Sequence, residues 1–546
     1  MPSTYGILSF VSNSLGDSNL LAAKHSLTTC LEKHENCKSG ISDPPILPTR
    51  VLDLGLDESA LDGIFKLYES RKGERQHYSC LSYRWGEPGH RNLLTKNRKV
   101  DFINGAQVLD LEQCIQDTIR VIRKMGTRYL WIDALCIIQD DDQDIATQIP
   151  QMKDIYTNAT FVLAADSLSD PAQTFSRPRH VPQAHICDFP ALIDGNLETL
   201  SLLYMVEYSK DENPQPGEHK HYIELDQQLS NRAWTLQECV LARRLLVCSS
   251  SEIFWHCQEV SNQPVRPSYF AQPKALVPLD RQTLMESIQE SKEDVSPTAG
   301  SPENEVPPEW LFLWFGLIED YTKRQMSKPR DSLNALGGIA QEFEFQTGDK
   351  FVFGLSRKYL VWNLLWCSPF LDEKPHRWPQ SPGKECDVSF PSWSWAGVSL
   401  PVKMILCNEF IPEAEVATNS DDTYDLLDAG TLLLQGKMTR ISDIKRKVDG
   451  VTWLDCRSGV DRDDFERRKS SMFYLYLGHS TELSRDYTLY VGMAAHQEVS
   501  SHYFYLVLDP VRNGQFERLG LVHHRQLGHD PDLLHAEWTE TSIWIR

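Results

Sequence analysis

The stretch Tyr78-Ser-Cys-Leu-Ser-Tyr-Arg-Trp-Gly86 decides how this chain is read. An apolar run passes within a few residues into Ser82, Tyr83, Arg84 and Trp85, and then into a Gly/Pro turn at Gly86–Gly89. Two later stretches repeat that mixture: Leu130-Trp-Ile-Asp-Ala-Leu-Cys-Ile-Ile-Gln139 and Asn231-Arg-Ala-Trp-Thr-Leu-Gln-Glu238. Polar, charged and aromatic groups set against an apolar run mark the place where a buried strand or helix ends and a ligand edge begins.

Working outward, the segments around the first two motifs alternate. Tyr78 onward predicts a strand. Asp110–Met125 carries Leu111, Cys114, Ile115, Ile119 and Ile122 at helical spacing. Arg128–Asp133 predicts a short buried strand ending in a carboxylate. The acidic run Asp140–Asp144 suits a helix start, where the macrodipole favours negative charge. Ile145, Ile149, Met152, Ile155 and Tyr156 form that helix's inner face, and Pro150 either lies near its first turn or produces a kink. Ala159–Ala165 is apolar at nearly every position, as in a strand covered on both faces. Strand, helix, strand, helix, strand predicts an α/β fold: a mostly parallel sheet with helices on both faces. The third motif predicts a helix capped by Ser230 or Asn231 and running through Leu245. Leu246–Cys248 and Glu252–Trp255 then predict a hairpin.

At 546 residues the chain is long enough for two or three domains. Residues 1–75 form a lead-in with a helix near Leu20–His34. The Ser/Pro/Glu/Asp-rich stretch 286–309 is the best linker. A helical segment occupies 310–390, and 391–546 is β-rich, with strands expected at Leu432, Phe473, Thr488, Tyr503 and Ser542. Trp393 and Trp395 are expected in its core.

The formal charge of −21 argues against a general nucleic-acid binder. Between Arg71 and Lys99, eight Lys/Arg face two Asp/Glu, a basic excess that is either a solvated surface or a rim for phosphates. No stretch approaches the length of a membrane span, and the first residues lack a signal-peptide pattern, so a cytoplasmic location is expected. The thirteen cysteines include no Cys-x-x-Cys. Cys30-x3-His34-x2-Cys37 sets three soft ligands on one helix face, but structural zinc requires four, and no fourth lies nearby. The segment is therefore read as a helix with two half-buried thiols and an exposed His, and no metal is expected.

On a helix Trp234 and Glu238 share a face, so Glu238 suits a positioned acid, base or hydrogen-bond acceptor. Asp133 is a candidate ligand-binding carboxylate, or else the cap of the following turn or the partner of a basic side chain. Cys136, between Leu135 and Ile137, is expected to be buried and inert. Ser82 lacks the Gly-x-Ser-x-Gly elbow of a hydrolase nucleophile.

The three motifs, in this order from about Tyr78 to Cys239, resemble the heterokaryon incompatibility (HET) domain of filamentous fungi. The resemblance assigns 76–260 to that domain. Cys30/His34/Cys37 followed by Leu47–Asp53, and the downstream Pro391-Ser-Trp-Ser-Trp395, also resemble segments common in HET-domain proteins. It implies a part in non-self recognition and cell death.

More remotely, Leu81-Ser-Tyr-Arg84 and Trp234–Glu238 resemble two landmarks of Toll/interleukin-receptor (TIR) domains, with Thr235 where those commonly have Cys. That resemblance implies a TIR-like or flavodoxin-like sheet. Its enzymatic members cleave NAD at the nicotinamide–ribose bond with the Glu of the later helix. Carried onto this sequence, Glu238 is the catalytic candidate, and Ser82, Tyr83, Arg84, Trp85, Asp133 and Trp234 are substrate-binding candidates. NAD would be a substrate, since no Gly-x-Gly-x-x-Gly marks a bound cofactor. A second possibility is a non-enzymatic module that acts by self-association or by docking a protein partner.

Overall fold

The computed structural model describes residues 15–38, 44–55, 63–86, 92–175, 184–193, 196–205, 229–249, 253–264, 307–368, 390–398, 400–407, 410–416, 427, 430–444, 450–454, 462–480, 500–511, 514–527 and 536–546. The chain divides into two compact units, Met1–Ser230 with Ala242–Leu276, and Asn231–Leu241 with Val277–Arg546. The charged, proline-containing stretch 210–220, whose composition predicts a surface loop, the strand expected at Thr488 and the linker 286–309 as far as 306 lie outside the described residues.

In the first unit, nine described strands form one mixed sheet. They are β1 (Arg50–Asp53), β2 (Ile64–Glu69), β3 (Tyr78–Ser82), β4 (Ala106–Gln107), β5 (Tyr129–Trp131), β6 (Val162–Ala164), β9 (Arg244–Cys248), β10 (Ile253–Cys257) and β11 (Val260–Pro264). A separate antiparallel hairpin joins β7 (Ala184–Ile193) to β8 (Asn196–Met205). The order across the sheet is β11-β10-β9-β6-β3-β5-β1-β2-β4. Only β5, β3, β6 and β9 run parallel to one another. Both flanks are antiparallel. The expected mostly parallel sheet is thus confined to the centre. Every residue of the four parallel strands is buried, as required when both faces are covered.

The crossovers are those the apolar periodicity predicts. Helix α4 (Gln113–Met125) links β3 to β5, burying Cys114, Ile115, Ile119 and Ile122, and ends at Gly126 in the left-handed conformation. Between β5 and β6, α6 (Asp142–Gln148) starts at Asp141, whose carboxylate accepts from the Gln143 and Asp144 amides. A 3-10 turn holding Pro150 bends the chain into α7 (Met152–Asn158). Tyr156 of α7 packs edge-on against Trp131 of β5 at 5.5 Å between ring centroids, and its hydroxyl donates to the Leu81 carbonyl at 3.3 Å.

The chain moves from β3 outward to β5, then returns across β3 to β6. The strand order therefore reverses at β3, and the first motif stands at that switch point.

The second unit combines helices Glu309–Lys323 and Asn334–Thr347 with a β-rich part. Its strands Leu432–Arg440, Phe473–Ser480, Ser500–Pro510, Gln515–Leu527 and Thr539–Ile545 pair in a closed ring. Tyr474, Tyr476, Tyr505, Val507 and Val522 belong to one of its buried clusters. Trp393 and Trp395 are fully buried, as expected. Both indole N–H groups donate to backbone carbonyls, of Gly430 and Gly354 respectively. Gly354 has φ +83°, and a Cβ there would stand 2.6 Å from the Trp395 ring, so this position admits no larger residue without displacing the indole.

Candidate functional site

The three central strands β5, β3 and β6 end at Trp131, Ser82 and Ala164. Two residues past each end stand Asp133, Arg84 and Asp166. Strand order thus puts one cation between two anions along the carboxyl edge. Ser82 and Tyr83 are buried, whereas Arg84 and Trp85 are half-buried.

The turn after β3 is fixed by close packing. Gly86 has φ +76°, and a Cβ there would lie 2.7 Å from the Pro171 ring. The Pro171 carbonyl in turn accepts from Cys114 N at 2.9 Å, in the first turn of α4.

The first and second motifs meet directly. Trp85 Nε1 donates to Asp133 Oδ2 at 2.9 Å. Asp133 Oδ1 accepts from the Ala134 amide at 2.7 Å. Asp133, the first residue of the helix α5 (Asp133–Cys136), whose N-cap is Ile132, therefore holds the indole with one oxygen and the next residue's amide with the other. The rest of the second motif is tied down around it. Gln139 donates through Nε2 to the Asp133 and Ile137 carbonyls, and its amide donates to Leu94 O. Cys136 is buried, and burial pushes its thiol up to about 12, so no thiolate nucleophile is available there.

Sequence reasoning missed Asp166, which is 2% exposed and accepts from the Leu229 amide at 3.2 Å. Its signal was a parallel one: a carboxylate two residues past an apolar strand, as at Asp133.

Two cations of the basic excess are ion-paired. Lys96 pairs with Asp141 at 3.2 Å and Lys99 with Glu69 at 2.8 Å. Acids from elsewhere in the fold neutralise these two cations.

The third motif lies in the second unit. Helix α8 (Ala233–Val240) is shorter than expected: it stops at Val240, and the chain enters β9 at Arg244 to pair with β6 and β10. Neither Ser230 nor Asn231 caps it; they lie in a 3-10 turn, and Arg232 is the N-cap residue. The helix start is held by backbone instead, with Ala233 N donating to Gln325 O and Gln325 N to Asn231 O. Helix α8 packs on Asn334–Thr347, where Gly338 N donates to Gln237 Oε1 at 2.7 Å. Trp234 is half-buried and Glu238 only 4% exposed.

Among the described residues no helix is long and apolar enough to cross a membrane. The expectation that Cys30, His34 and Cys37 lack a fourth ligand is overturned. Cys257, at the end of β10, joins them, the two helical thiols are fully rather than half-buried, and His34 is half-buried rather than exposed.

Comparison with known proteins agrees with the motifs. A model of the family described as heterokaryon incompatibility protein (HET) matches residues 78–238. "Heterokaryon incompatibility protein 6, OR allele" of Neurospora crassa is 25% identical over 236 residues, a match covering 38% of this chain and 34% of that protein. No solved structure matches. The matched residues run from the first residue of β3 to Glu238 in α8 and contain all three motifs, so residues 78–238 of this chain match a HET domain.

Proposed function

We propose that this chain is a fungal heterokaryon-incompatibility protein whose HET domain hydrolyses NAD at the nicotinamide–ribose bond and so drives cell death. The observation that carries this reading is the polar edge at the switch point of β3. Open α/β sheets bind nucleotides outside the carboxyl ends of the strands at such a point. Here that edge carries a guanidinium and an indole fixed by a carboxylate. The resemblance to TIR domains supplies the reaction and adds Glu238 as its carboxylate.

Breaking the C–N bond releases nicotinamide and leaves positive charge on the ribose, as in glycoside cleavage. A carboxylate stabilises that charge, water adds to the anomeric carbon, and its proton is released, giving ADP-ribose. Arg84 suits the pyrophosphate, and the flat Trp85, Tyr83 or Trp234 suits the nicotinamide ring.

Expression of the chain in a heterologous host is expected to lower cellular NAD and arrest growth. Trp85→Phe keeps a ring but removes the hydrogen bond to Asp133. It is expected to cost about 1.5 kcal/mol of stability and to slow NAD loss, read by denaturant titration and by NAD assay of the same cells. A variant as stable and as active as the parent would remove Trp85 from the site.

One observation favours a second reading, a recognition module acting by self-association or docking. Glu238 is almost wholly buried, on a helix packed against another helix of its own unit. Toxicity that survives Glu238→Gln with NAD unchanged is the result that reading predicts.

A further inference from the structure

We propose that Cys30, His34, Cys37 and Cys257 hold one structural zinc ion that staples helix α1 to the end of β10, the second strand of the first unit's sheet. The inference is independent of NAD hydrolysis.

Helix α1 (Asp17–Lys33) carries Cys30 in its last turn, and His34 is its C-cap. A one-turn helix, α2 (Glu35–Lys38), presents Cys37. Cys257 is the last residue of β10, 223 positions after His34. The four ligand atoms all lie within 4.8 Å of one another. His34 Nδ1 is 3.4 Å from Cys257 Sγ and 4.0 Å from Cys37 Sγ. A tetrahedral site with ordinary zinc–sulfur and zinc–nitrogen bonds has edges of about 3.6–3.8 Å. The four donors therefore surround a zinc-sized centre with little adjustment. Three sulfurs and one imidazole are a donor set that selects zinc over magnesium or calcium. With all four positions supplied by the chain, such a site is closed, as structural rather than catalytic sites are.

The surroundings point the same way. Arg244 of β9 is 4% exposed. It donates through Nε to Cys30 Sγ at 3.2 Å, and its other nitrogens donate to the Cys37 and Thr160 carbonyls at 2.9 and 3.3 Å. Among the described residues no carboxylate pairs with it. A buried guanidinium facing neutral thiols is uncompensated. Zinc bound by three thiolates and a neutral imidazole carries one net negative charge, which Arg244 balances. The amides of Gln258 and Glu259, in the turn after β10, donate to the Cys37 and Cys257 sulfurs. Such outer contacts orient and stabilise thiolate ligands.

Any single disulfide would leave one of the three thiols unused; a metal ion engages all of them. The ion would also close a loop of more than two hundred residues, linking a segment that precedes the family-matched region to β10.

The test uses the full chain, purified without chelator from zinc-supplemented cells. Metal analysis is expected to find about one zinc per chain, and cobalt exchange to give the visible bands of a tetrahedral thiolate site. Cys257→Ser is expected to lose the metal and the bands. Cys257→His, which restores a ligand, is expected to retain one zinc with a cobalt spectrum altered toward fewer sulfurs. A parent chain holding well below about a tenth of an equivalent after zinc addition, or Cys257→Ser binding one zinc with an unchanged cobalt spectrum, overturns the proposal. The parent measurement decides the matter even if a variant fails to fold.

Discussion

Glu238→Gln is expected to abolish the NAD loss and growth arrest caused by the chain while leaving it folded. The substitution keeps size and hydrogen-bonding capacity and removes only the charge. If the carboxylate stabilises positive charge developing on the ribose, losing it should slow turnover by about 10²–10³-fold, the usual effect of deleting one preorganised electrostatic partner. Folding should survive, because α8 is anchored through its neighbours: Gln237 accepts from Gly338 N, and the helix start is bridged to Gln325. NAD assay in the expressing host gives the first readout, and soluble yield with thermal melting gives the second. Unchanged NAD loss in a well-folded Glu238→Gln chain would remove this residue from the chemistry.

The second large effect is on stability. Arg50 of β1 forms an ion pair with Asp144, their side chains being 5% and 15% exposed. Arg50 Nε also donates to the Cys136 carbonyl at 2.7 Å, and Asp144 Oδ2 accepts from Ile138 N at 2.8 Å. This pair therefore fastens the Cys136–Ile138 part of the second motif to β1. Asp144→Ala leaves a buried guanidinium without its anion and an amide without its acceptor. The expected cost is about 3–5 kcal/mol, read as a lowered denaturant midpoint of the first unit. Replacing both partners, as in Arg50→Met with Asp144→Leu, should recover most of that loss, because the penalty lies in the unpaired charge. A cost below about 1 kcal/mol for Asp144→Ala would mean that water or another acid compensates Arg50.

The parallel centre of the first unit was legible because a strand buried on both faces must read as an apolar run. Val162–Ala164 does so, and Tyr78–Leu81 does so but for the buried Ser79. Helix α4 was legible because its buried positions recur at helical spacing. The antiparallel flanks were not: β2 exposes Ile64 and Lys66 while burying Phe65 and Leu67, and alternation of that kind does not reveal which neighbour a strand takes. The end of α8 was lost for a different reason. Leu241-Ala-Arg-Arg-Leu245 suits a helix locally, and pairing with β6 and β10 overrides that preference.

Buried polar residues hid other features. The strand Gln515–Leu527 was missed because it carries Glu517, Arg518, His523 and His524. Yet Arg518 is 3% exposed, donates to the Leu364 carbonyl at 2.8 Å and lies 3.7 Å over the Trp366 ring. The polar edge of the site was half legible. Arg84 and Asp133 stood out inside their motifs, whereas Asp166 closes an apolar run with no motif around it. Cys257 gave no local sign, since a fourth ligand in a distant strand is visible only once the sheet brings it to α1.

The central claim meets its most direct test with purified full-length chain and NAD. Nicotinamide release, followed over a range of chain concentrations that spans self-association, is predicted to match NAD loss mole for mole and to vanish in Glu238→Gln. NAD left intact at every concentration by a folded chain that is still toxic in cells would contradict the enzymatic reading and leave the recognition module in its place.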